Sequence, residues 1–104
     1  MVIGNYEFKP INTDSPSEIR KAIDHYFETC IKESRIPFIE GLCLALGIDS
    51  NTFLRWTLEK TERGYEATYG LQFALAELES AALSGEVSPV IYIFLMKRFA
   101  GYED

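Results

Sequence analysis

Apolar side chains recur at three- and four-residue steps along most of this chain, and that pattern predicts helices. Ile19, Ala22, Ile23, Tyr26, Phe27, Cys30 and Ile31 form one stripe, with Arg20, Lys21, Asp24, Glu28 and Lys32 on the other side. Ahead of it stands Asp14-Ser15-Pro16-Ser17-Glu18. Ser15 can cap a helix, Pro16 suits the first helical position and Glu18 can close a capping box, so the first helix is expected from here to about Ser34. Pro37 opens a second helix, Phe38 to Leu46, which Gly47 ends as a residue able to take positive φ. Ser50 can cap a third, Asn51 to about Thr61. A fourth is expected from Tyr65 to Leu83, with Leu71, Leu75, Leu78 and Ala82 as its inner stripe and Gly85 beyond its end.

Ser88-Pro89 repeats the Ser-Pro start signal before Val90-Ile-Tyr-Ile-Phe-Leu-Met-Lys-Arg-Phe. The β-branched and aromatic content would suit a buried strand. The Ser-Pro start, the lack of a second strand to pair with and the Lys97-Arg98 end favour a helix. Such a helix is apolar on nearly every face and needs cover on all sides, which points to burial between subunits. Residues 1–14 carry no sustained period and read as a loop or short extended arm, with Tyr6 and Phe8 expected to dock on the bundle or on a neighbour. The sequence therefore predicts a single all-α domain over residues 1–104, of about five helices. It divides into the arm (1–14), a part with a helix-turn-helix (15–63) and C-terminal helices for oligomerisation (64–104).

Composition narrows the function. The chain has 104 residues, 47% of them apolar, and a formal net charge of −6, which suits one core and excludes coating nucleic acid by bulk positive charge. The acidity is uneven. Residues 1–36 hold five basic and six acidic groups, residues 37–63 three and four, and residues 64–104 two and six. The longest apolar run, Val90 to Met96, falls far short of the roughly 20 residues that span a bilayer. No signal peptide is evident, and two cysteines with one histidine make neither a disulfide framework nor a metal site. The simplest expectation is a reduced, soluble, intracellular protein without a cofactor.

Catalytic chemistry finds little support. His25 reads as a solvated surface residue, Cys43 as a small packing residue and Cys30 as part of the inner stripe. Glu77 and Glu79 are two apart and do not face one another on a helix. No phosphate-binding Gly loop is present. The chain is not expected to be an enzyme.

The second and third helices carry the strongest functional signal. Ile39-Glu-Gly-Leu-Cys-Leu-Ala-Leu-Gly-Ile-Asp-Ser-Asn-Thr-Phe-Leu-Arg-Trp has the spacing of a DNA-binding helix-turn-helix. Leu42, Leu46, Ile48, Phe53 and Trp56 would face inward, leaving Asn51, Thr52, Arg55 and Glu59 outward and Leu54 exposed. Arg and Asn can each give paired hydrogen bonds to a base edge. Ser50 could hold a phosphate, and Lys60 and Arg63 could track the backbone. The same helix pair also occurs in plain helical bundles, and Glu40 and Glu59 argue against tight binding by one copy.

The whole chain from about Ser15 to Asp104 resembles the small subunit of tailed-bacteriophage terminases. Four features carry this in order: Ser-Pro-Ser-Glu opening a helix with Tyr26-Phe27-Glu28; the Pro37-to-Trp56 segment; a long helix around Ala74 to Leu83 ending in Ser84-Gly85; and Ile93-Phe-Leu-Met-Lys-Arg-Phe-Ala-Gly-Tyr-Glu-Asp at the end. The resemblance implies a non-catalytic subunit of the viral DNA-packaging motor in the bacterial host cytoplasm. It would bind double-stranded DNA as a homo-oligomeric ring of about eight to twelve copies and deliver it to the terminase large subunit. Leu71, Leu75, Leu78, Ile91, Tyr92, Phe94 and Leu95 would supply the contacts between copies. Members of that family often continue past the position of Asp104 into a tail that engages the large subunit, and Ala100 stands where they place Gly directly after Phe. A dimeric helix-turn-helix transcription regulator of a mobile element is the alternative. A protein-interaction module using its acidic C-terminal region is the other rival.

Overall fold

The computed structural model describes residues 10–99 in full and, nearer the N-terminus, the backbone of 2–3 and 6–7. It is all-α apart from a short ribbon. Two strands, β1 (Val2–Ile3) and β2 (Tyr6–Glu7), pair antiparallel, with Val2 opposite Glu7 and Ile3 opposite Tyr6. Five helices follow: α1 (Pro16–Lys32), α2 (Ile39–Leu46), α3 (Ser50–Thr57), α4 (Glu62–Leu83) and α5 (Pro89–Phe99). The expected docking of the Tyr6 and Phe8 side chains lies outside the described residues.

The start of α1 follows from its sequence with one change. Ser15 Oγ accepts from Glu18 N at 3.3 Å and Pro16 opens the helix. Glu18, however, reaches back past Ser15 to the amide of Asn12 at 3.3 Å, because Ser15 N already donates to Asn12 O at 3.0 Å. At the other end the chain turns at Ser34, whose φ is 54°, and Arg35 N closes onto Cys30 O at 2.8 Å. The same closure ends α2: Gly47 takes φ 73°, and Ile48 N donates to Cys43 O at 3.0 Å. A left-handed residue lets the chain reverse while capping the last carbonyls.

Both ends of α3 and the start of α4, at Glu62 rather than Tyr65, differ from expectation. Asp49, not Ser50, caps α3, its carboxylate accepting from Thr52 N at 2.7 Å. That bond holds Asp49 below the usual carboxylate pKa range. The helix stops at Thr57 rather than Thr61, because Thr61 is itself the N-cap of α4 and accepts from Gly64 N at 3.1 Å. The bend between α3 and α4 is tight: a Cβ at Gly64 would collide with the Glu59 carbonyl.

The core lies where α1, α2 and α3 pack around α4. Ile19, Ile23 and Phe27 meet Leu42, Leu46 and Phe53, all buried. The inner line of α4 is not the expected leucine stripe. Gly64, Ala67, Gly70, Ala74, Leu78 and Ala81 face the core, while Leu71, Leu75 and Ala82 flank it half-buried. Close helix approach selects small side chains: at Gly70 an added Cβ would sit 3.2 Å from both Ile23 and Leu42. Phe27 stacks on Phe73 with ring centroids 4.3 Å apart. Across the α1–α4 surface, Arg20 lies 3.8 Å over the Tyr69 ring and pairs with Asp24 and Glu66.

The segment from Pro89 is a helix, as its start signal predicts, and it is covered on one side only. Met96 and Phe99 are buried and Tyr92 and Leu95 half-buried, whereas Val90, Ile91, Ile93 and Phe94 remain 77%, 53%, 51% and 66% exposed. Leu78, Ala81, Val87 and Met96 form a second small cluster between α4 and α5.

Candidate nucleic-acid interface

The α2–α3 pair is built from its buried side chains outward. Leu42, Cys43 and Leu46 anchor α2, and Phe53 and Trp56, at 0% and 5% exposure, anchor α3. Three residues join the helices: Gly47 in the left-handed conformation, Ile48 half-buried against the core and Asp49 as the cap of α3. Burial pushes the Cys43 thiol up to about 12, consistent with a packing residue rather than a nucleophile. Tyr26 ties the entry of α2 to α1. Its hydroxyl accepts from Phe38 N at 3.1 Å and lies 3.3 Å from Phe38 O, and burial raises its pKa to about 12.

With Phe53 and Trp56 turned inward, α3 presents Asn51 and Arg55 to solvent, with Thr52 half-exposed between them. Arg55 Nη2 donates to Thr52 Oγ1 at 3.0 Å, so the guanidinium lies along the exposed face of the helix. Lys60 is exposed beyond the helix end. Asn51, Thr52 and Arg55 thus share one face of α3, and Lys60 belongs to the turn that follows.

Arg63 and Ser50 sit elsewhere. Arg63 grips both carboxylate oxygens of Glu59, at 3.0 and 2.8 Å, donates to Thr13 O at 3.2 Å and lies 4.7 Å over the Trp56 ring. It is a brace between the α3–α4 bend and the N-terminal segment. The same pair holds Glu59 below its usual pKa, with the Arg63 hydrogen bonds the main cause. Ser50 is 8% exposed, and its hydroxyl accepts from Arg98 Nη2 at 3.1 Å. Leu54, expected to be exposed, is half-buried against the core cluster.

Arg98 is the residue that sequence reasoning missed. It reads locally as a helix-end cation of α5, yet the fold brings it 48 positions back along the chain to the start of α3. Only the packing of α5 reveals this. Of the residues expected between copies, Ile91 and Phe94 are exposed, Leu71, Leu75, Tyr92 and Leu95 half-buried, and Leu78 is buried inside the subunit.

A family model described as DNA-packaging protein gp3 matches residues 8–104 of this chain. The chain belongs to the gp3 DNA-packaging family. That membership agrees with the phage packaging resemblance read from the four sequence segments. No curated protein and no solved structure matches this gp3-family chain. Among its described residues no three His, Cys, Asp or Glu side chains gather as a metal site, and no helix is long and apolar enough to cross a membrane.

Proposed function

We propose that this gp3-family protein is the small, non-catalytic terminase subunit of a phage packaging motor. In this proposal α2 and α3 act as a helix-turn-helix on double-stranded DNA, several copies close into a ring, and the ring passes DNA to the large subunit. The observation that carries the proposal is the α3 surface. Two buried aromatics, Phe53 and Trp56, turn Asn51, Thr52 and Arg55 outward, in a chain whose family packages DNA. Arg and Asn are the side chains that make paired contacts with base edges in a major groove. Arg63 and Ser50 are left out of the contact set, since the first braces the bend and the second is buried under Arg98.

Charge explains why many copies are needed. Around α3, Arg55 and Lys60 stand beside Asp49 and Glu59, so one copy gains little from phosphate attraction. Linking copies raises the effective concentration of each remaining site once one has bound. The exposed apolar side of α5 supplies surface for that linkage.

The test is fluorescence anisotropy on labelled duplex DNA over a salt series, with solution mass measured in parallel. Wild type should bind with an affinity that falls steeply with salt and run as a closed multimer. An Arg55→Ala, Lys60→Ala double variant should keep its helical CD signal and lose affinity. Unchanged binding would remove α3 from the proposal. A two-chain mass with a palindromic footprint would mark a dimeric regulator instead.

A further inference from the structure

The most acidic part of the chain, residues 64–104, holds six acidic groups and only two basic ones, Lys97 and Arg98. The fold carries Arg98 to the start of α3, 48 positions back along the chain. We infer that Arg98 is a further DNA contact of each copy, a phosphate-binding cation that α5 places beside the first turn of α3. The inference rests on the reading of α3 as the DNA-facing helix and adds to its contact surface a residue from a different helix.

The arginines divide by what holds them. Arg20 is paired with Asp24 and Glu66, Arg35 with Glu33, and Arg63 with Glu59 and Asp14. Arg55 and Arg98 make no ion pair among the described residues. Both donate instead through Nη2 to a hydroxyl in the first turn of α3, Arg55 to Thr52 Oγ1 at 3.0 Å and Arg98 to Ser50 Oγ at 3.1 Å. A hydroxyl is neutral and leaves the positive charge in place, and a guanidinium with five N–H donors has others to offer. Arg98 is exposed, although Ser50 beneath it is buried. The Ser50 bond and the buried Phe99 ring, 5.0 Å from Arg98 Cζ, hold the guanidinium in position. A cation ordered before binding has less freedom to lose when it meets an anion.

Groove dimensions say what that cation meets. A helix with its side chains is about 10–12 Å across and the major groove about 12 Å wide, so a seated helix fills the groove and its flanks meet the sugar-phosphate walls. A recognition helix leads with its N-terminal residues, which brings its first turn closest to the DNA. Ser50 and Phe53 belong to the buried side of α3, away from Asn51, Thr52 and Arg55. Arg98 therefore borders the helix without sharing its base-reading face, a place suited to a phosphate and not to a base edge. The planar guanidinium matches phosphate oxygens with paired hydrogen bonds. Asp49, the acid at this end of α3, already accepts from Thr52 N.

Fluorescence anisotropy of the full chain on labelled duplex DNA, over a salt series, tests the inference through two variants. Arg98→Gln removes the charge and keeps an N–H donor, whereas Arg98→Lys keeps the charge. Each phosphate contact adds about 0.9 to the slope of log affinity against log salt. Arg98→Gln should lower that slope by about 0.9 for each copy engaged, so that raising salt fourfold costs it about three- to fourfold less affinity per copy than wild type. Arg98→Lys should keep the wild-type slope, and both variants should keep the wild-type mass and helical CD. If folded Arg98→Gln keeps the full slope, even with weaker binding, Arg98 merely braces α3 and the inference falls. It falls equally if Arg98→Lys loses slope with its charge in place, a result that needs no folded Gln variant. The α3 reading fails separately: if wild type does not bind duplex DNA, or if the Arg55→Ala, Lys60→Ala variant binds as wild type does, α3 is not the DNA-facing helix and Arg98 loses its role with it.

Discussion

Replacing Gly47 by alanine tests the turn on which the α2–α3 geometry depends. Gly47 has φ 73° and no atom within 4 Å of where a Cβ would stand. The substitution therefore creates no collision, and its whole effect is in the backbone. An L-residue held left-handed costs about 1–2 kcal/mol. Alanine also stiffens the unfolded chain, which returns about 0.4–1 kcal/mol. The balance is a loss of about 1 kcal/mol, or about 4–8 °C in Tm for a domain of this size. Asparagine, which tolerates the left-handed region, should lose less than alanine. The same arithmetic changes sign at Ser34, a non-glycine already at φ 54°. There Ser34→Gly should raise Tm by a few degrees. Thermal and urea unfolding followed by far-UV CD read all three variants. A Gly47→Ala protein as stable as wild type, or a destabilised Ser34→Gly, would refute the backbone argument at that turn.

Other outcomes follow from the packing and the interface. Phe53→Ala empties a fully buried site and should cost about 3–5 kcal/mol, measured by urea titration. Arg55→Ala should weaken DNA binding about tenfold or more with little change in Tm, whereas Arg63→Ala should lower Tm and leave DNA affinity and its salt dependence near wild type; the opposite pattern would show that Arg63 leaves its brace to bind DNA. Stability should decline at high pH. Cys43 and Tyr26 are neutral when protonated, and burial raises both folded-state values to about 12. Their contribution is complete below their ordinary values, near 9 and 10, and is lost as pH rises toward 12. A urea midpoint that stays flat from pH 8 to 11 would contradict that burial. The native Cys43 thiol should also resist alkylation at pH 8 until the protein unfolds.

Sequence alone determined several of the helix boundaries, because their signals are local. Ser15 with Pro16, Gly47 and Ser88 with Pro89 act through bonds and dihedrals within a few residues, and each marks a helix boundary at or beside the place it signals. It likewise determined which side of α3 is buried, since the size of Phe53 and Trp56 leaves no other choice. Where two local signals competed, packing chose between them: Asp49 displaced Ser50 as the cap of α3, and Thr61 became the start of α4 instead of the end of α3. The α4 core line was hidden for a related reason. Size-based reading favours leucines, but the helix crosses its neighbours so closely that Gly64, Ala67, Gly70 and Ala74 are what fit. The fate of the cations was decided by tertiary structure alone. Arg63 and Arg98 look alike as exposed basic residues in a sequence. Only the fold bends α3 into α4 so that Arg63 meets Glu59, and lays α5 back so that Arg98 meets Ser50. Charge neutralisation and hydrogen bonding act across a few ångströms, and no local pattern records which distant segments will come that close.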